Sequence, residues 1–242
     1  VSADVIRWGP ERARTGPWRG DGSTAYLAPM PDSPVPSAAF VRRCCELLAT
    51  RGFHRVVTGA LANSEQSGFR SAGFEVAEQL HLLAHDLREI PLAPEVPAAL
   101  RRARDADRPR VLAIDDDSFS PFWQLGDVGL EDAITATPRA RFRVAEGLVE
   151  HAEAGYLYGY AVTGRAGRRG FLQRLAVRPD VRRQGLGQAL VIDALRWLRR
   201  WRVDRVVVNT QLTNEGALAL YEGLGFRREP SGLSVLSCGL ER

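Results

Sequence analysis

The chemically most capable residues of this chain lie between positions 170 and 226. Arg182-Arg183-Gln184-Gly185-Leu186-Gly187-Gln188 joins a run with strand character, residues 170–177, to a helical run in which Leu186, Leu190, Val191, Ala194, Leu195 and Leu198 recur on one face. Such a junction is built to hold an anion. The first amides of a helix have no internal acceptor, and the helix dipole adds positive potential there. Gly185 and Gly187 let the backbone turn tightly and approach an anion closely, while Arg182 and Arg183 add full charges. Residues 205–209 follow as another strand, so the turn sits inside a βαβ unit. It has neither the G-K-[ST] of a nucleotide P-loop nor the third glycine of a dinucleotide fingerprint.

Downstream runs Asn214-Glu215-Gly216-Ala217-Leu218-Ala219-Leu220-Tyr221-Glu222-Gly223-Leu224-Gly225-Phe226. Together with Arg182-x-x-Gly185-x-Gly187, this segment resembles the GNAT superfamily of acetyl-CoA-dependent N-acetyltransferases, closely over about residues 155–230 and loosely back to about residue 98. The resemblance implies an α/β fold with a central mixed β-sheet flanked by helices, acetyl-CoA as cosubstrate, and no metal. It implies that Leu175, Ala176 and Val177 lie on a strand that splays from its neighbour and pairs with pantetheine amides. Arg182, Arg183, Gln184, Gly185, Leu186, Gly187 and Gln188 would wrap the pyrophosphate, and Asn214 would contact the pantetheine arm. Tyr221 would stand near the sulfur as general acid, because a phenol of pKa about 10 is protonated at neutral pH and can donate to a departing thiolate whose own pKa is about 8.5.

The base is left open. Relatives use a carboxylate on the central strand or a water chain, whereas this strand presents Phe171, Gln173 and Arg174, so Glu146, Glu150 and Glu153 stand as candidates. Asp115-Asp116-Asp117 precede an aromatic cluster and read either as an acidic lip for an ammonium group or as a solvated helix end.

Elements must carry these residues, and the composition allows them. At 242 residues with 45% hydrophobic and 26% charged content, the chain can build packed cores in one large or two small domains. Its basic residues are all arginine, 33 of them, which fits a GC-rich bacterial genome. A net charge of +4 gives no reason to expect nucleic acid, and no apolar run is long enough for a membrane span. The expectation is a cytoplasmic protein with free thiols, Cys44 and Cys45 being adjacent and Cys238 odd. His54, His81, His85 and His151 show no metal spacing.

The chain also repeats itself. Residues 27–32 echo 175–180, residues 55–57 echo 205–207, and residues 69–74 echo 221–226. A helix over residues 37–51, capped by Ser37, matches the helix after the arginine turn. The copy is degenerate. Its turn, Asp32-Ser33-Pro34-Val35-Pro36-Ser37, has prolines where amide donors are needed, and Phe69 replaces Tyr221.

The expected organisation is a partial GNAT-like unit over residues 1–95 and a complete domain over 96–242, joined by the proline-rich residues 88–97. The first unit would complete the sheet, line the acceptor cleft or support a homodimer. In the second, helices are expected at 108–116, with Asp107 at the cap position, and at 130–135. Strands are expected at 140–146, 156–163 and 171–177, with a turn over 164–170.

By these motifs the chain transfers an acetyl group to a primary amine, and the C-terminal motifs are most similar to enzymes acting on protein N-termini. The two-unit layout is similar to mycothiol synthases, which act on a small aminothiol conjugate, although the N-terminal half is shorter here. A non-catalytic acyl-CoA-binding regulatory module and an interaction scaffold are the competing classes.

Overall fold

Between residues 139 and 177 apolar side chains recur at strand spacing, and in the computed structural model of the chain they form three consecutive antiparallel strands. The structure describes residues 4–30, 32–148 and 156–240. By contact the chain divides into two units. One comprises Val1–Leu82, Asn209–Thr213 and Glu229–Arg242; the other comprises Leu83–Val208 and Asn214–Arg228. The units are therefore discontinuous in sequence, with residues 83–95 in the second and the C-terminal segment in the first.

In chain order the elements are β1 (Asp4–Trp8), β2 (Glu11–Trp18), β3 (Asp21–Pro29), α1 (Ala38–Thr50), β4 (Arg55–Leu61), α2 (Ser67–Ser71), β5 (Glu75–His85) and β6 (Ala98–Arg102). Next come α3 (Arg108–Ser118), α4 (Gly126–Thr135), β7 (Arg139–Gly147), β8 (Leu157–Ala166) and β9 (Arg169–Val177). The chain closes with α5 (Leu186–Arg200), β10 (Arg205–Gln211), α6 (Glu215–Gly223), β11 (Arg227–Arg228) and β12 (Leu233–Gly239).

In the first unit β1, β2 and β3 form an antiparallel meander, and β3 runs parallel to β4 with α1 as the crossover. Ser37 caps α1, its Oγ accepting from the Phe40 N–H at 3.2 Å. The C-terminal β12 lies between β4 and β5, antiparallel to both, with Ser234 opposite Leu61 on one side and Gln79 on the other. Leu236 thereby joins Leu27, Phe40, Leu48, Val56 and Phe69 in one core.

The second unit orders its strands β10-β9-β8-β7-β6, with β9 and β10 parallel and the rest antiparallel. On one face, α5 buries Val191, Ile192, Leu195 and Leu198 against Leu172, Val206 and Val208. Each such side chain contributes about 2 kcal/mol of transfer free energy. On the other face, Val111, Ile114 and Leu130 of α3 and α4 pack against Val144, Tyr160, Val162 and Ala176. The expected turn at 164–170 shrinks to Gly167 and Arg168, because β8 pairs as far as Ala166↔Arg169 and Gly167 takes a left-handed φ of 56°. Asp107 does precede α3, but its carboxylate turns back to Arg101 and the Arg104 N–H rather than capping the helix.

The order β3-α1-β4-α2 recurs as β9-α5-β10-α6. No helix among the described residues is long and apolar enough to cross a membrane. All three cysteines are free, and burial pushes the Cys44 and Cys45 thiols up to about 12.

Candidate active site

After β9, residues Pro179–Val181 make one tight turn, and the chain enters α5 through two left-handed residues, Arg183 at φ 65° and Gly185 at φ 80°. The helix ladder opens with the Ala189 N–H donating to the Gly185 carbonyl at 2.9 Å. The Leu186, Gly187 and Gln188 amides precede that bond and have no ladder acceptor. Arg183, Gln184 and Gln188 are exposed at this mouth. Arg182 is exposed too, but its Nε donates to the Val177 carbonyl at 3.0 Å and its N–H to the Pro179 carbonyl at 3.4 Å. Both glycines sit in close quarters. A Cβ at Gly185 would stand 3.1 Å from Pro94 Cγ, and one at Gly187 would stand 3.1 Å from Leu220 of α6.

The adjoining strand has one closed edge and one open edge. β9 pairs with β8 through Val177, whereas its ladder with β10 covers only Arg169, Gly170 and Phe171. Residues 172–177 thus leave main-chain groups unpaired on that side, as an added strand would need. Leu175 and Val177 pack toward Leu186 and Leu190, and Ala176 faces α3. The Val177 carbonyl is already engaged, by Arg182 and, at 3.5 Å, by the Ser118 hydroxyl.

Tyr221 lies on α6, next to the Leu220 that touches Gly187. Its ring is buried 5.6 Å from that of Phe226, and its hydroxyl makes no hydrogen bond to a described protein group. Burial raises its pKa above the ordinary phenol value, and the Arg174 charge opposes this only in part. The phenol therefore stays protonated. Asn214 caps α6, its Oδ1 accepting from the Ala217 N–H at 3.0 Å, which leaves its amide nitrogen for other partners. The fold thus brings residues 175–177, the mouth at 182–188 and Tyr221 into one unit around α5.

A model of the acetyltransferase (GNAT) family matches residues 108–226. Mycothiol acetyltransferase of Salinispora tropica is 30% identical over 207 residues, covering 78% of this chain and 67% of the relative. The chain belongs to the GNAT family. N-alpha-acetyltransferase 30 of Xenopus laevis is 45% identical over 62 residues, 26% of this chain and 23% of the relative, so the chain spans under a quarter of that protein. A tandem GNAT protein from the clavulanic acid biosynthesis pathway superposes with a TM-score of 0.70 at 14% identity, covering 98% of this chain and 82% of the other. That likeness is one of fold.

Beside these elements the GNAT chain carries a buried charge network that its sequence conceals. Asp115 is neither an acidic lip nor a solvated helix end, for it is fully buried. Arg174 grips it in two bonds, Nε to Oδ2 at 2.7 Å and Nη2 to Oδ1 at 2.8 Å, and the Tyr160 hydroxyl donates to it as well. Asp116 and Asp117 do face solvent. Glu146 is held by Arg101 at 2.6 Å, which keeps its carboxyl below the usual range and makes it a weak base. Glu150 and Glu153 lie outside the described residues, as does His151. No group of side chains suited to a metal occurs among the described residues. The one signal that pointed toward the network was an arginine inside the central strand, between Leu172 and Leu175.

Proposed function

We propose that this chain transfers the acetyl group of acetyl-CoA to a primary amine, with Tyr221 as general acid. One observation supports the reading above the rest: an open strand edge, a helix mouth of unladdered amides and a phenol whose ring is buried and whose hydroxyl bonds no described protein group meet around α5. In it, the amides of residues 185–188 and the Arg183 side chain receive the diphosphate, and residues 175–177 align the pantetheine arm as a further strand. Acetyl-CoA supplies an acyl group on a thiol leaving group. As the amine nitrogen bonds to the acyl carbon and the carbon–sulfur bond breaks, the Tyr221 hydroxyl gives its proton to the sulfur, while the proton shed by the nitrogen passes to solvent water, from which the phenol is reprotonated. Asn214 directs its amide nitrogen to the arm.

The acceptor is a protein N-terminus or a small-molecule amine, as the two kinds of relative suggest. We take the first unit as a degenerate GNAT-like unit with a structural role, and the protein as cytoplasmic and bacterial, as its all-arginine composition suggests. Titration calorimetry with acetyl-CoA, followed by a thiol-release assay over a panel of amines, tests the reading. Binding without thiol release over the whole panel would make the chain a regulatory module, and no heat of binding would make it a scaffold. Tyr221→Phe is expected to lower turnover about 100-fold with acetyl-CoA affinity nearly unchanged; unchanged turnover would remove Tyr221 from the mechanism.

A further inference from the structure

Arg174 ought not to face α3 at all. Leu172, two residues earlier, packs into the α5 cluster, and alternate residues of a regular strand share a face. The ladder between β8 and β9 shifts register here: Thr163 opposes Leu172 but Val162 opposes Arg174, so Gln173 is the extra residue of a bulge. The bulge sends the Arg174 side chain to the opposite face, where it meets Asp115 of α3.

Besides the Tyr160 hydroxyl of β8, the contacts made there converge on the short connection between α3 and α4. Arg174 Nη2 donates to the Trp123 carbonyl at 2.7 Å, and the guanidinium lies 3.5 Å from the centre of the Phe119 ring. The other end of the connection is tied by Asp115, whose Oδ1 accepts from the Leu125 N–H at 2.9 Å. At its start, the Ser118 hydroxyl reaches the last carbonyl of β9. Residues 119–125 are therefore clasped from both ends around one ion pair, beside the strand that would carry the thioester. An apolar pair would fill this space without the desolvation cost of two charges, but it could not fix a carbonyl, an amide and a ring in one geometry.

We propose that Arg174 and Asp115 are positioning residues for the amine acceptor, holding residues 119–125 as a fixed wall beside the end of β9. The proposal rests on the acetyltransferase reading for the identity of the acceptor, but not for the clasp itself. Removing Arg174 alone would leave Asp115 buried without a counter-charge, so two milder variants of the full chain serve as the test. Arg174→Lys keeps the charge and loses the fork; Asp115→Leu with Arg174→Met removes both charges together.

Hydrogen exchange measures the clasp without any reaction. Exchange over residues 119–125 should rise at least 10-fold in both variants, with α5 protection unchanged. In turnover assays with benzylamine and with a short peptide bearing a free α-amine, the amine KM should rise at least 10-fold while acetyl-CoA Kd from calorimetry stays within about twofold. Arg174→Lys should show the smaller defect. Unchanged exchange in the double variant, an unchanged amine KM, or a parallel loss of acetyl-CoA affinity would each overturn the proposal. A wild-type chain that acetylates neither amine overturns the acceptor assignment, and exchange then decides whether the clasp exists.

Discussion

Glu11 closes the helix mouth at Ser37. Its carboxylate accepts the Ser37 N–H at 2.5 Å and the Ser37 hydroxyl at 3.0 Å, where the second unit leaves its corresponding amides open. On the other side of this turn, a Cβ at Gly68 would stand 1.9 Å from the Pro36 carbonyl, so α2 packs hard against it. The first unit carries its own anion. We therefore expect calorimetry to find one acetyl-CoA per chain. Glu11→Ala should lower stability by about 1 kcal/mol, below the usual value for a charged hydrogen bond because the site is partly exposed. It should open no second site, since Pro34 and Pro36 supply no N–H; a stoichiometry of two in either protein would contradict this.

Gly185 is required by its backbone. At φ 80° a side chain is strained, and the methyl group would press on Pro94 at 3.1 Å. Gly185→Ala should cost about 1–2 kcal/mol in stability and weaken acetyl-CoA binding about 10-fold. Chemical denaturation and calorimetry measure the two effects. Equal affinity in the variant would place the diphosphate elsewhere.

His85 should make stability sensitive to mild acid. It is buried against Phe226, its Nδ1 accepts from the Leu87 N–H at 2.9 Å, and burial lowers its pKa from the ordinary 6.5, with Asp86 opposing. The unfolded chain then takes up the proton first. The stability held above pH 6.5 should fall as pH drops from there through the lowered folded-state value. Denaturant midpoints across that window should fall less steeply in His85→Gln; identical slopes would remove His85 as the cause.

The C-terminal strand should be indispensable to the N-terminal unit. β12 fills the place between β4 and β5 and buries Leu236 in the first core. A chain ending at Pro230 should lose hydrogen-exchange protection in α1 and β4. Retained protection there would show that β4 and β5 close without it.

Much of this was legible in the chain itself. The arginine turn, the helix it opens and the strands at 139–177 are local patterns, set by helical or strand spacing within a dozen residues. The Ser37 cap was readable for the same reason. The meander of β1 to β3 was not, because its first two strands bury only Ile6, Ala13 and Thr15 and give little apolar alternation.

By itself the sequence determined the order of elements between residues 139 and 226, the glycine-bearing turn before α5, the position of Tyr221 on its helix and the loss of donors in the first copy. The tertiary structure alone decided that β12 joins the first unit, that Glu11 occupies the vacant helix mouth, and that a one-residue bulge turns Arg174 onto Asp115. Periodicity is a property of neighbours along the chain. Strand partners and buried ion pairs join residues tens to hundreds of positions apart, and their choice follows from which faces remain to be covered once the local elements have formed.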